Sequence, residues 1–222
     1  MDNWELIDTA ETPEGAPMTL SRCGHEWIIA ADGKDLMTSG MHGSEEELAT
    51  LGLRWAGSLE EPQVLVGGLG MGFTLRATLD LLPPGATVVM RELLDAVVAW
   101  NRGPIGHLAD HPLDDPRVVV EVGDVREGLR KNVGRFDAIL LDVDNGPQAF
   151  TMRINKRLYD NIGVDHARQA LTPEGVLAVW SAWNDREFED RLRRCGFIVE
   201  TEFVRARLKE GGPTHTIYVA RL

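Results

Sequence analysis

Short apolar segments and amphipathic segments alternate along most of the chain from residue 62 onward. The apolar segments predict strands at 63–66, 87–90, 117–122, 136–141 and 176–180. The segments between them repeat apolar residues at helical spacing and predict helices at 73–82, 93–101, 125–132, 159–170 and 185–195. A closing antiparallel pair is predicted at 197–204 and 214–220, which makes seven strands. Such alternation is typical of an α/β fold with a doubly wound, mostly parallel, Rossmann-like sheet.

Turn sequences add detail to this pattern. Segments 18–22 and 26–31 predict two short strands near the N-terminus, and Asp32-Gly33 is a hairpin turn sequence that leads to a returning strand at 36–38. Thr-Pro-Glu-Gly at 172–175 predicts a turn ahead of the strand at 176–180.

A helix is predicted to link the N-terminal strands to the alternating part of the chain. Ser44, with Glu47 three residues later, fits a capping box and predicts a helix that runs toward Trp55. We therefore expect two domains. Residues 1–60 would form a short β-hairpin unit with its linking helix, and residues 61–222 a Rossmann-like domain.

The composition is acidic, with a net charge of -12 and a pI of about 4.9. Acidic residues are spread along the chain, which argues against nucleic-acid binding and fits either a solubilising surface or a local pocket for a cationic substrate. Cys23 and Cys195 lack metal-ligand spacing, and no apolar stretch approaches the about 20 residues of a membrane span. The acidic N-terminal segment is unlike a signal peptide. We expect a cytoplasmic protein that uses no metal and binds neither nucleic acid nor membranes.

A Gly-rich turn, Gly67-Gly68-Leu69-Gly70-Met71-Gly72, joins the first strand of the alternating part to its helix. Gly68, Gly70 and Gly72 permit a tight turn and let a ligand approach the backbone closely. The strand–turn–helix context favours a ligand site over a purely structural turn. We expect this turn to hold an adenosine-type cofactor.

Two acidic residues follow the next two predicted strands. Glu92 lies 20 residues after Gly72, where this type of fold places an acid that binds ribose hydroxyls. Asp124 suits the amino group of an adenine, and it also suits the N-cap of the helix predicted at 125–132. Because a dehydrogenase does not require such an acid, the combination favours an S-adenosyl-type ligand over NAD.

The loop after the fourth predicted strand, Asp142-Val143-Asp144-Asn145-Gly146-Pro147, carries the candidate catalytic residues. Ligands of open α/β sheets bind at the carboxyl ends of strands, so Asp142 is expected to face the reacting centre. Two nearby acids, Asp142 and Asp144, suit the binding and deprotonation of an amine. Asp-Asn-Gly-Pro is also a strong turn sequence, so a purely structural role fits the loop as well.

Taken together, these motifs resemble the spermidine synthase family of polyamine aminopropyltransferases. Met41-His42-Gly43 resembles that family's Tyr-His-Glu segment, and the preceding hairpin resembles a shortened form of its N-terminal β domain. The resemblance covers roughly residues 18–220. The matching positions in the cofactor half are Gly68-x-Gly70-x-Gly72, Glu92, Gly123-Asp124 and Asp142.

The resemblance implies a class I methyltransferase-like fold, a transferase activity of polyamine biosynthesis and a homodimer. Decarboxylated S-adenosylmethionine would donate an aminopropyl group to a small-molecule amine, with methylthioadenosine as the product. The implied cofactor-binding residues are Gly68, Gly70, Gly72, Glu92 for the ribose, Asp124 and Val125 for the adenine, and Pro147 beside the adenosyl group. The implied general base is Asp142, and the implied substrate-binding residues are His42, Asp144 and Asn145.

The chain departs from the family pattern where the family binds its polyamine. Met71 replaces an acid of the Gly-rich turn, and Asn145 stands where the family has a second aspartate, one residue beyond Asp144. The sequence therefore predicts an aminopropyltransferase with an atypical amine site. Two alternatives are an S-adenosylmethionine-dependent methyltransferase, which would yield S-adenosylhomocysteine and need a pocket for the cofactor's carboxylate, and a non-catalytic member that kept the fold.

Overall fold

The computed structural model describes residues 3–143, 146–147, 153–207 and 211–222, which form two β-sheets with helices around the larger one. The smaller sheet is antiparallel and its four strands follow chain order. Its strands are β1 (Glu5–Glu11), β2 (Pro17–Cys23), β3 (Glu26–Ala31) and β4 (Lys34–Thr38).

The smaller sheet buries one face and exposes the other. Met18 and Leu20 on β2 and Ile29 on β3 are buried, and their neighbours along each strand are more exposed. The predicted hairpin turn is confirmed, since Asp32 and Gly33 have φ angles of 50° and 70° between β3 and β4.

The N-terminal unit is larger than the predicted hairpin, because β1 pairs with the full length of β2. Most side chains of β1 are exposed on both faces, so the strand lacks the apolar alternation that identifies a half-buried strand.

Helix α1 (Gly43–Gly52) follows the small sheet, and the predicted capping box at its start is wrong. The N-cap residue is His42, whose side chain makes no capping hydrogen bond. Ser44 lies inside the helix, and its hydroxyl donates to the carboxylate of Glu45 instead of capping the backbone. The Ser44–Glu47 spacing was misleading because the hydroxyl has a side-chain partner in the interior.

The larger sheet contains the predicted seven strands, which are β5 (Gln63–Gly67), β6 (Thr87–Glu92), β7 (Val118–Val122), β8 (Phe136–Leu141), β9 (Leu171–Ser181), β10 (Ile198–Arg207) and β11 (Gly211–Arg221). Their order across the sheet is β10-β11-β9-β8-β5-β6-β7. Strands β5 to β9 are parallel, and β11 lies antiparallel between β9 and β10. The helices are α2 (Phe73–Leu81), α3 (Asp95–Arg102), α4 (Val125–Lys131), α5 (Arg153–Lys156), α6 (Asn161–Ala170) and α7 (Arg186–Arg194). The predicted α/β fold class is confirmed.

The strand order has a topological switch point at β5. Strand β6 pairs with one side of β5 and β8 pairs with the other. The chain segments that connect these strands therefore lead away from β5 in opposite directions. Such a switch point opens a crevice at the carboxyl ends of the strands. The central strands β5 and β8 are apolar and almost wholly buried, as strands covered on both faces require.

One predicted turn is instead part of a strand. Residues 172–175 belong to β9, although the pairing with β8 slips there, from Phe136 opposite Leu171 to Ala138 opposite Val176. The Thr-Pro-Glu-Gly sequence therefore forms an irregular, exposed stretch at the start of the strand, and the regular ladder begins at Val176.

Across the described ranges, no helix is both long and apolar enough to cross a membrane. The same part of the chain contains no cluster of His, Cys, Asp or Glu side chains arranged to hold a metal ion.

Candidate active site

A cavity of about 360 Å³ lies where the carboxyl ends of β5, β6, β7 and β8 meet the small sheet and α1. The fold brings to it Gly68 and Gly70 after β5, Glu92 at the end of β6, Asp124 after β7 and Asp142 after β8. Five residues that the sequence predicted at the ends of four strands thus line one cavity.

The Gly-rich turn presents bare backbone to this cavity. Gly68 has a φ of 90°, and a Cβ added there would lie 2.0 Å from the backbone oxygen of Asp142. Gly70 has a φ of 51°, and its Cβ would lie 2.8 Å from Met37 Sδ. Both positions need glycine, because φ is positive and because the Asp142 backbone and the Met37 side chain already occupy the space where a Cβ would lie. We call this closely packed pair, which lines the cavity with backbone alone, the glycine cradle.

Glu92 is held in a fixed orientation at the cavity wall. Its Oε2 accepts a hydrogen bond from the Leu69 amide at 2.8 Å, and its Oε1 accepts one from the Leu94 amide at 3.0 Å. Burial raises the pKa of this carboxyl, while the amide donors oppose the shift. Each oxygen keeps a second lone pair, so the carboxylate can still accept hydrogen bonds from a ligand.

Asp124 caps a helix and also lines the cavity. Its Oδ1 accepts a hydrogen bond from the Arg126 amide at 2.8 Å, which confirms the N-cap of α4, and the residue also lines the cavity beside Val125. Arg91 holds this corner in place, because its Nε donates to the Asp124 backbone oxygen at 2.8 Å and its guanidinium pairs with Glu121.

The side chain of Asp142 lines the cavity and accepts a hydrogen bond from a residue of α2. Thr74 on α2 donates its hydroxyl to Asp142 Oδ2 at 2.6 Å. Burial raises the pKa of Asp142 to about 6, against the lowering effect of the Thr74 bond. Its carboxyl can therefore gain or lose a proton near neutral pH.

Glu45 on α1 lines the same cavity and was missed from the sequence. Only 6% of the residue is exposed. Ser44 Oγ lies 2.6 Å from Glu45 Oε2 and 2.9 Å from His215 Nδ1, so one hydroxyl links the acid to β11. Burial, and then the charge of Asp142, raises the pKa of Glu45 to about 8. The acidic run after Ser44 was the available signal, but it was interpreted only as a capping box at the start of a helix.

Comparison with solved structures identifies the architecture. The chain matches spermidine synthase from Thermotoga maritima with a TM-score of 0.76 and 18% identity, over 97% of this chain and 72% of that one. It matches a spermidine synthase in complex with the transition-state analogue AdoDATO with a TM-score of 0.75 and 19% identity, over the same shares. The chain has the spermidine synthase fold. No family model matches the sequence, and no curated protein does.

Within the spermidine synthase fold, His42 lies outside the cavity. Its ring stacks on Phe73, with centroids 4.1 Å apart, and its Nδ1 is 2.6 Å from Glu46 Oε1. As the N-cap residue of α1, His42 turns toward α2, and Glu45 three residues later faces the cavity. The structure thus places Glu45 where the sequence had placed His42.

The remaining predicted residues fall into three groups. Gly72 is the N-cap residue of α2 and, like the half-buried Pro147, is absent from the cavity lining. Asp144 and Asn145 lie outside the described residues. Met71 is fully buried in the core between the sheets and helices, so it contributes no group to the cavity.

Proposed function

We propose that this chain is an aminopropyltransferase that moves an aminopropyl group from decarboxylated S-adenosylmethionine to an amine acceptor. The observation that carries the proposal is the placement of Asp142 beside the glycine cradle of Gly68 and Gly70, in a single cavity of a spermidine synthase fold. The neighbouring spermidine synthase that holds AdoDATO supports the same use of the cavity here.

The residues of the cavity suit an adenosyl cofactor. Gly68 and Gly70 line the cavity with backbone alone, which lets a ligand approach the turn closely. Glu92 offers fixed carboxylate oxygens for ribose hydroxyls, and Asp124 with Val125 offers an acceptor and an apolar surface for adenine. We assign these residues to cofactor binding.

Asp142 is the proposed general base. When bound, the sulfonium group of the cofactor supplies an electrophilic carbon next to sulfur. The acceptor nitrogen forms a bond to that carbon, the carbon–sulfur bond breaks, and its electron pair stays on the sulfur of methylthioadenosine. Asp142 accepts the proton that the nitrogen gives up and passes it to solvent. Because burial raises the pKa of Asp142 to about 6, the carboxyl is mostly ionised at neutral pH and still binds a proton readily.

The test is a turnover assay with two cofactors. The protein is incubated with decarboxylated S-adenosylmethionine or with S-adenosylmethionine, each with a panel of amines, and methylthioadenosine and S-adenosylhomocysteine are quantified. We expect methylthioadenosine with the decarboxylated cofactor and a loss of about 100-fold in Asp142→Asn. Asp165→Asn on the exposed face of α6 is the matched control and should keep full turnover.

Two results would contradict the proposal. The first is release of S-adenosylhomocysteine alone, which indicates methyl transfer. The second is no product with either cofactor, together with no calorimetric binding of methylthioadenosine.

A further inference from the structure

Two interacting carboxyl groups, Glu45 and Asp142, line the cavity without a cationic partner among the described residues. Glu45 and Asp142 form no ion pair within the described ranges. Arg91, the one arginine among the described lining residues, is already bonded to Glu121 and to the backbone of Asp124. Buried carboxylates without a counter-charge are costly, so a ligand that brings a positive charge is favoured there.

Glu45 is aimed at this position by a bridge between two elements. The Ser44 hydroxyl contacts both Glu45 Oε2 on α1 and His215 Nδ1 on β11. His215 also packs edge-on against Trp180, with centroids 4.7 Å apart, and burial lowers its pKa. A neutral His215 adds no competing positive charge, so the carboxyl of Glu45 is positioned without a cationic partner among the described residues.

Much of the remaining lining of the cavity is apolar. Trp180 at the end of β9 completes a surface that comes mainly from the small sheet and the segment before α1. Asp35 is the acid that the small sheet contributes to the lining, and it is exposed to solvent on β4. This surface, the apolar wall, consists of Met18, Ile29, Leu36, Met37, Met41 and Trp180.

We propose that the acceptor is a monoamine with an apolar substituent, whose single cationic nitrogen binds between Glu45 and Asp142 while its substituent lies on the apolar wall. The proposal rests on the proposed function and names the acceptor class of the same site. A second ammonium group on the wall would lose its hydration against apolar side chains, since Asp35, the acid of the small sheet, is exposed to solvent. Methionine side chains adapt to varied apolar shapes, which suits a hydrocarbon or aromatic substituent. Glu45 is then the residue that determines specificity.

Matched amines test the acceptor class. Heptylamine and hexamethylenediamine have equal numbers of non-hydrogen atoms. They differ at one end, where heptylamine has a methyl group and hexamethylenediamine has a second ammonium group. Both affinities are measured by calorimetric titration at neutral pH, once with methylthioadenosine present and once in the apoprotein. Heptylamine should bind at least about ten-fold more tightly than hexamethylenediamine. Equal affinity, tighter binding of the diamine or no binding of either amine overturns the proposal. If methylthioadenosine itself does not bind, that separate result contradicts the proposed function.

Two variants separate a role in recognition from a role in folding. Glu45→Gln should weaken heptylamine binding by about ten-fold, while Glu47→Gln, on the same helix and outside the cavity lining, should leave it unchanged. Met37→Glu adds an acid to the apolar wall and should shift the preference toward the diamine. Unaltered heptylamine affinity in Glu45→Gln, in a protein that melts no lower than the wild type, would refute the assignment of Glu45.

Discussion

At the scale of single residues, one hydrogen bond controls the ionisation of the proposed general base. Thr74 donates its hydroxyl to Asp142 Oδ2, and this bond lowers the pKa that burial raises. In Thr74→Val the ionised carboxylate loses that donor, so the pKa of Asp142 should rise further. Since Asp142 must be ionised to accept a proton, the acidic limb of the kcat/KM profile should move to higher pH by about one pH unit.

The measurement is methylthioadenosine release across the pH range, with Thr78→Val as the control. Thr78 lies one turn farther along α2 and donates its hydroxyl to the backbone oxygen of Thr74, away from Asp142. The control should keep the wild-type profile even where it loses stability. An acidic limb that stays in place in Thr74→Val, or moves to lower pH, means that Asp142 is not the titrating base.

At the scale of elements, α3 holds in place the Gly-rich turn, which we propose to bind the cofactor. Asn101 is 1% exposed, and its Nδ2 donates to the backbone oxygens of Gly70 at 2.8 Å and Val97 at 2.9 Å. Asn101→Ala removes the donor and leaves the Gly70 oxygen to find another partner. We expect a stability loss of about 1–3 kcal/mol and several-fold weaker methylthioadenosine binding.

Chemical denaturation and calorimetric titration check this prediction. Arg102→Ala, at the next and exposed position of α3, is the control and should change neither quantity. A variant Asn101→Ala that loses stability but binds methylthioadenosine like the wild type would show that α3 supports the fold without shaping the turn.

The elements that sequence predicted best are those whose signal is local. Strand β8 was predicted with its observed bounds because an apolar run identifies a strand buried on both faces. Strand β1 was missed because its pairing with β2 gives an exposed strand no hydrophobic pattern. The Thr-Pro-Glu-Gly segment carries turn residues and has no partner on β8, yet it forms part of β9 because the ladder with β8 includes Leu171 before it and Val176 after it.

The site divides in the same way. Glu92 and Asp142 follow strands that are parallel neighbours of β5, so position in the chain was enough to bring them together. Glu45 depends on how α1 packs against α2 and the large sheet, which a sequence pattern of three consecutive acids does not encode. The same packing determines that His42 contacts Phe73 instead of the cavity.

At the scale of the whole molecule, the buried acids make stability depend on pH. The folded state holds the protons of Asp142 and Glu45 more tightly than the unfolded chain, where these carboxyls ionise near 3.8 and 4.5. Their contribution to stability is fully present below those values and is lost as pH rises through the folded pKa of about 6 for Asp142 and about 8 for Glu45. The net charge of -12 adds self-repulsion in the same direction.

Other groups near Glu45 act in different directions. Glu46 on the same helix raises the pKa of Glu45 slightly, while the Ser44 hydrogen bond lowers it. Burial lowers the pKa of His215 on β11, so its contribution is lost as pH falls and bears on the acidic side of the profile. Burial also raises the pKa of Glu92, which acts in the same direction as Asp142 and Glu45. Between weakly acidic and alkaline pH, these three cavity acids should therefore dominate the change.

The free energy of unfolding of the apoprotein, measured by denaturant titration, should fall between about pH 5 and about pH 9. The fall should be about 2–4 kcal/mol larger in the wild type than in Glu45→Gln. The glutamine cannot ionise, so the variant keeps at alkaline pH the stability that the wild type loses when Glu45 gives up its proton. Glu47→Gln removes the same formal charge outside the cavity and should follow the wild-type curve, which separates buried ionisation from the effect of net charge. Parallel curves for wild type and Glu45→Gln would show that Glu45 ionises freely in the folded protein.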